Sequence, residues 1–95
     1  MRHCLLSTDE VRIGRGKVRA SQRLYKDQKR LLVVQLLDKS VSSDHARIMV
    51  GQGSCVLIDR GSKNGTLLNG SRCTTAPLAD GDVIEVGETS FMLRG

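Results

Sequence analysis

The chain has 95 residues, 39% of them apolar, with one Phe, one Tyr and no Trp, which is enough for one core of Leu, Val and Ile and too little for two. Its net charge of +5 makes an anionic partner an open question. The three scattered cysteines, Cys4, Cys55 and Cys73, form no C-x-x-C pair, which argues against both a disulfide framework and a zinc site and favours a reduced, cytoplasmic setting. No apolar run is long enough to span a bilayer and no leader pattern opens the chain, so a soluble protein without membrane contact is expected.

Cys4 to Leu6 and Val11 to Ile13 read as two short strands separated by the polar turn Ser7-Thr8-Asp9-Glu10. The second strand runs into Gly14-Arg15-Gly16, where flanking glycines let the backbone bend and leave Arg15 free to project. Residues 17–30 form a basic insertion that fits three conformations: a loop, a short helix, or a hairpin turning at Lys26-Asp27-Gln28-Lys29. Between Arg12 and Arg30 lie eight Lys or Arg residues against one acid, Asp27, whereas Asp80, Asp82, Glu85 and Glu88 give the C-terminal part the opposite sign.

Leu31 to Leu37 is a nearly continuous apolar run whose length predicts a strand buried on both faces. Ala46 to Val50 and Ser54 to Asp59 are the next strand pair, turning at Gly51-Gln52-Gly53. Asn64-Gly65 and Asn69-Gly70 are turn signals around a very short strand at Leu67-Leu68, and both Asn-Gly-Thr and Asn-Gly-Ser read as turns rather than glycosylation sites. Asp80-Gly81-Asp82 is a further turn, followed by a hairpin of Val83 to Val86 and Thr89 to Leu93. Strands every eight to twelve residues, with turns between them, predict an all-β sandwich.

Three loop stretches combine small or hydroxyl residues with a cation or an amide: Gly14-Arg15-Gly16, Ser42-Ser43-Asp44-His45 and Ser62-Lys63-Asn64-Gly65-Thr66. Rigid strands hold such loops at sheet ends, where binding sites form. The adjacent Ser, Asp and His do not make a hydrolase triad, whose members come from separate elements. There is no nucleophile elbow, no Gly-x-x-x-x-Gly-Lys loop and no metal-ligand cluster, and Asp80-Gly81-Asp82 lacks the other ligands of a calcium loop, so neither enzymatic activity nor a cofactor or metal is expected.

Four pieces in fixed order carry a family resemblance: Ile13-Gly14-Arg15, Val41-Ser42-x-x-His45-Ala46-Arg47-Ile48, Asp59 through Ser62-x-Asn64-Gly65-Thr66-x-x-Asn69-Gly70, and Leu78-x-x-Gly81-Asp82-x-Ile84-x-Val86-Gly87. They resemble forkhead-associated (FHA) domains, and the resemblance covers nearly the whole chain as a single domain over residues 1–95. It implies a sandwich of two antiparallel sheets with binding loops at one end, and a phosphothreonine-containing protein as partner. Arg15, Ser42, Ser43, Lys63 and Asn64 are the phosphopeptide-binding candidates it implies, with Asn64 gripping peptide backbone. His45, Gly65, Thr66 and Asn69, with Gly14, are implied to hold the loops.

The resemblance also implies roles in signalling or transcription regulation. The Ser-Ser-Asp-His loop and the long basic link look similar to those of FHA domains fused to bacterial enhancer-dependent transcription activators, and a domain of this size is often excised from a longer, multidomain protein. Two alternatives stand beside phosphothreonine binding: a phosphate-independent scaffold, including contacts within a larger parent protein, and nucleic-acid binding through the basic residues from Arg12 to Arg30. Two departures from the family pattern are the 27 positions between Arg15 and Ser42, and Asp44, a negative charge beside the expected phosphate site.

Overall fold

The computed structural model describes residues 8–51 and 53–93, so the strand expected at Cys4 to Leu6 lies outside the described residues. Every regular element among them is a strand: β1 (Glu10–Arg15), β2 (Ala20–Lys26), β3 (Lys29–Leu36), β4 (Ala46–Gly51), β5 (Ser54–Asp59), β6 (Thr66–Leu68), β7 (Ser71–Cys73), β8 (Thr75–Leu78), β9 (Val83–Val86) and β10 (Thr89–Met92). They form a six-stranded sheet in the order β2-β3-β1-β4-β5-β8 and a four-stranded sheet in the order β10-β9-β6-β7. Pairing is antiparallel with one exception, since β1 and β3 run parallel from Glu10 opposite Leu31 to Arg15 opposite Leu36, where antiparallel pairing throughout was expected.

That exception follows from the basic segment. The chain leaves β1 at Arg15, passes over one strand position to form β2, and turns back at Asp27-Gln28 so that β3 fills the space beside β1. Asp27 and Gln28 have φ of 53° and 64°, the left-handed pair that a two-residue hairpin of this twist requires. Of the three conformations open to residues 17–30, the hairpin is the one formed, and all fourteen of those residues are exposed.

Alternation places the core. Val11 and Ile13 of β1, Ala46 and Ile48 of β4, Leu57 of β5, and Ile84 and Val86 of β9 meet between the sheets, joined by Leu36 and by Val41 from a loop. These branched side chains occupy the volume that aromatic rings fill in other small domains.

The run Leu31 to Leu37 departs from the expectation of burial on both faces. Leu31 and Leu36 are buried, Leu32 to Val34 only partly, and Leu37 is 69% exposed. A cleft of about 530 Å³ lies along this strand, lined by Val34 and Leu36 on one side and Phe91 of β10 on the other. Two short strands, β7 and β8, were not anticipated. Pro77 in β8 is tolerated because β8 is the sheet edge, where a missing N–H breaks no ladder.

Glu10 was expected in a polar turn but begins β1 with only 3% exposure. Its carboxylate accepts from Arg12 Nε and lies 3.6 Å from Arg47 Nη1, so the buried charge is paired with two guanidiniums. The preceding residue fastens the basic hairpin. Asp9 accepts from the Arg30 backbone N–H at 2.7 Å and from Arg30 Nε and Nη2 at 3.2 and 3.0 Å. These side-chain and backbone bonds from Arg30 hold the Asp9 carboxyl down to about 2.

A depressed carboxyl stabilises the fold above its unfolded value and loses that contribution as pH falls through its folded value. The melting temperature of the native protein should therefore exceed that of Asp9→Asn at pH 6, with the gap closing as pH drops from about 4 towards 2. A gap of constant size over that range would show that the ion pair does not anchor the hairpin.

Candidate phosphopeptide site

The site is built where β1, β5 and β9 end and β4 and β6 begin. Gly14 makes it possible: a Cβ there would lie 2.0 Å from the Ser43 carbonyl oxygen, closer than any side chain allows. With the backbones in direct contact, Arg15 N–H donates to Ser42 O at 2.9 Å and His45 N–H donates to Ile13 O at 2.9 Å. Two segments far apart in sequence thus become one surface.

His45 is fully buried beneath that surface and joins two loops. Its Nδ1 accepts the Ser42 N–H at 3.0 Å, and its Nε2 lies 2.7 Å from Gly65 O. A carbonyl only accepts, so Nε2 carries the proton and the tautomer is set by its two partners. Both ring nitrogens are occupied by backbone, and neither faces a serine hydroxyl. Gly65 reaches this position with φ of 82°, a conformation that suits glycine, and it is buried as well.

The loop of residues 60–65 is braced from Asp59. One carboxylate oxygen accepts from Ser62 Oγ and, at 2.7 Å, from the buried Thr66 Oγ1; the other accepts from the N–H groups of Gly61 and Ser62 at 3.1 and 3.2 Å. Burial alone would raise the Asp59 carboxyl, but the bonds from Ser62, Thr66 and Gly61 together outweigh it and hold it below the usual carboxylate value. The loop is then tied across to its neighbour: Lys63 N–H donates to Ser42 Oγ at 3.1 Å and Asn64 Nδ2 donates to Ser40 O at 2.9 Å. Asp38 does the same for the β9–β10 turn, accepting from the N–H groups of Glu88 and Ser40, which lower its pKa.

The bracing leaves specific groups facing outward. Arg15, Ser43 and Lys63 are exposed, and their side chains have no hydrogen-bond partner among the described residues. Ser42 Oγ accepts from Lys63, so its own hydroxyl proton remains available to donate. Asn64 spends one amide proton on Ser40 and keeps its carbonyl oxygen and second proton. Among the described residues no group of three or more His, Cys, Asp or Glu is placed to hold a metal.

Nine of the ten residues singled out from sequence meet at this end. Asn69 does not. It holds a loop as implied, donating to Asp82 at 3.0 Å and accepting from Val83 N–H at 2.9 Å, but at the far end of β6. Asp44 carries no bare charge, since its carboxylate accepts from Arg47 Nη2 at 3.1 Å and Arg60 Nε at 3.4 Å. Asp59 was quoted only as part of a motif, and its bracing role was missed. The signal was there: an Asp followed by Gly and Ser at the second and third positions is the pattern of an Asx turn.

Two substitutions test the bracing. His45→Ala strands a partly buried N–H and a buried carbonyl and opens a cavity, and should cost about 3 kcal/mol in chemical unfolding. Asp59→Asn keeps the shape but loses the charge on four hydrogen bonds, and should lower the melting temperature by roughly 5–10 °C. A loss under about 1 kcal/mol for His45→Ala would mean that the two loops do not depend on the imidazole.

The FHA domain family model matches residues 11–87. An FHA domain-containing protein of Arabidopsis thaliana is 41% identical over 63 residues, which cover 63% of this chain and 16% of that protein, so the chain spans about a sixth of that relative. Among solved structures, an FHA domain from a structural and functional analysis of phosphothreonine-dependent FHA domain interactions is 31% identical with a TM-score of 0.72, covering 93% of this chain and 78% of the other. The solution structure of an FHA domain from an Arabidopsis thaliana hypothetical protein is 33% identical with a TM-score of 0.69, covering 92% and 67%. A family match over most of the chain, on a two-sheet β-fold shared with these structures, shows that this chain belongs to the FHA domain family.

Proposed function

We propose that the domain binds a phosphothreonine-containing segment of a partner protein, as a recognition module rather than an enzyme. One observation carries the reading: the cations of Arg15 and Lys63 and the Ser43 hydroxyl, without hydrogen-bond partners among the described residues, lie at the end of the sandwich where the supporting groups are hydrogen-bonded from below. A phosphothreonine brings a charge of about −1.5 to −2 and three acceptor oxygens. Arg15 supplies a permanent charge and a planar fork suited to paired bonds with phosphate oxygens, and Ser42, Ser43 and Lys63 supply single donors. The free half of the Asn64 amide meets peptide backbone. The FHA structures similar to this chain include one solved in work on phosphothreonine-dependent interactions, which supports the same ligand class.

The expected affinity for a phosphothreonine peptide is micromolar, about −8 kcal/mol. Fluorescence anisotropy should show binding to phosphothreonine peptides above their phosphoserine and unphosphorylated forms. Arg15→Ala should weaken it at least thirtyfold, about 2 kcal/mol, while the melting temperature stays within about 2 °C. Equal binding of unphosphorylated peptides would overturn the proposal, and a large fall in melting temperature would make Arg15 structural.

A second reading, polyanion binding by the hairpin of β2 and β3, is favoured by the full exposure of residues 17–30. Two of its cations are already engaged, Arg30 by Asp9 and Arg23 by Thr8. Duplex DNA affinity that falls steeply with salt, and falls again when Lys17, Arg19, Lys26 and Lys29 are neutralised, would support it. DNA affinity unchanged in that variant would remove the hairpin from consideration.

A further inference from the structure

A groove of about 370 Å³ begins beside Arg15 and continues under the Ser43-Asp44 loop, lined by Arg12, Gly14, Gln35, Asp44 and Arg47 among others. Its position follows from alternation. Val11 and Ile13 point into the core, so Arg12 and Gly14 face the opposite side of the six-stranded sheet, and Arg47 lies directly across from Arg12 in the antiparallel ladder of β1 and β4.

Two like charges directly opposite each other destabilise a strand pair unless anions lie nearby. The chain supplies two. Glu10, 3% exposed, serves Arg12 and lies 3.6 Å from Arg47, and Asp44, 48% exposed at its side chain, is shared between Arg47 and Arg60. Three guanidiniums, those of Arg12, Arg47 and Arg60, therefore share two carboxylates, and Arg15 lines the same groove. Arg47 Nε is shut off from solvent and has no acceptor among the described residues. The groove is thus positively charged, incompletely paired, and continuous with the phosphate receptor.

Resting on the phosphothreonine reading above, we propose that this groove is a second anion subsite for the same partner. It receives an anionic side chain, a carboxylate or a second phosphate, within a few residues of the phosphothreonine. Arg12 and Arg15 are three positions apart on one strand, about 10 Å, a span that an extended peptide covers in a few residues. Asp44 acts as an internal counter-ion. It keeps Arg47 and Arg60 neutralised in the free protein, and a stronger anion from the partner displaces it. This gives Asp44 a function: as a competing anion it moderates the preference for partners that bring their own negative charge.

The test is anisotropy with phosphothreonine peptides that differ at one position, scanned through four residues on either side of the phosphothreonine as Ala, Glu, Lys or phosphoserine. At one or two positions Glu or phosphoserine should bind roughly three- to fivefold tighter than Ala, and Lys more weakly. The advantage should fade at about 0.5 M salt. A gain for phosphoserine well above that for Glu would identify a second phosphate, and equal gains a carboxylate. Arg47→Gln should abolish the preference and leave affinity for the Ala peptide unchanged. Asp44→Asn, at an exposed position, should enlarge the preference and gives a separate reading should Arg47→Gln unfold.

Equal binding of all four peptides at every position, with the Ala peptide still bound, would overturn the groove and leave the phosphothreonine reading standing. A preference that survives Arg47→Gln would place the anion elsewhere and also overturn it. Failure of every phosphothreonine peptide to bind would overturn both.

Discussion

The buried imidazole of His45 is the contact on which the binding end depends. It spans from the Ser42 N–H to the Gly65 carbonyl, and so sets the separation of the β3–β4 loop from the loop that crosses between the sheets from β5 to β6. In the interior a hydrogen bond is stronger and an unmet partner costlier than in water, so the bridge is both favourable and hard to replace. Around it the remaining braces form a closed set. Asp59 holds the second loop from beneath, Asp38 ties the first to the β9–β10 turn, and the contact of Gly14 with Ser43 presses the first loop onto β1. For the proposed phosphopeptide the consequence is pre-organisation: a site whose supporting groups are already fixed would lose little conformational freedom on meeting its ligand.

Polar groups therefore fall into two populations. Those bracing the loops are hydrogen-bonded within the protein, as the Thr66 hydroxyl is to the Asp59 carboxylate and the Asn64 amide to the Ser40 carbonyl. Those pointing outward carry net positive charge and donor capacity. The same division recurs on the neighbouring sheet face, where Glu10 and Asp44 only partly offset the arginines around them. The hairpin of β2 and β3 is the exception to the inward bracing. Its residues 17–30 are all exposed, and it is held at its far end through Asp9 and Arg30. No helix among the described residues is long and apolar enough to cross a membrane.

Much of this was legible in the sequence because the informative residues act locally. Asn-Gly and Asp-Gly pairs mark their own turns, alternation in Val11 to Ile13 and Ala46 to Ile48 marks a core face, and the four motifs pointed to loops that the fold brings to one end. What was not legible depends on long-range partners. The hairpin at residues 17–30 turns on Asp27 and Gln28, neither of them glycine, so its turn chemistry is weak until β3 has β1 to pair with. Glu10 reads as a turn residue because its burial needs Arg47 from another strand. The exposure of Leu37 and partial burial of Val34 reflect the cleft along β3, which no periodicity encodes. Asn69 sits in a motif with the site residues, yet three strand residues carry it to the opposite end.

The central claim is that loops braced by His45 and Asp59 form a ready-made receptor centred on Arg15. A titration of the isotopically labelled domain with a phosphothreonine peptide, followed by amide chemical shifts, tests it most directly. The account predicts large shifts confined to residues 14–16, 42–44 and 62–64, together with the Arg15 Nε–H, while core amides such as those of Leu57 and Ile84 keep their positions. Shifts centred on the β2–β3 hairpin, or spread through both sheets, would contradict it.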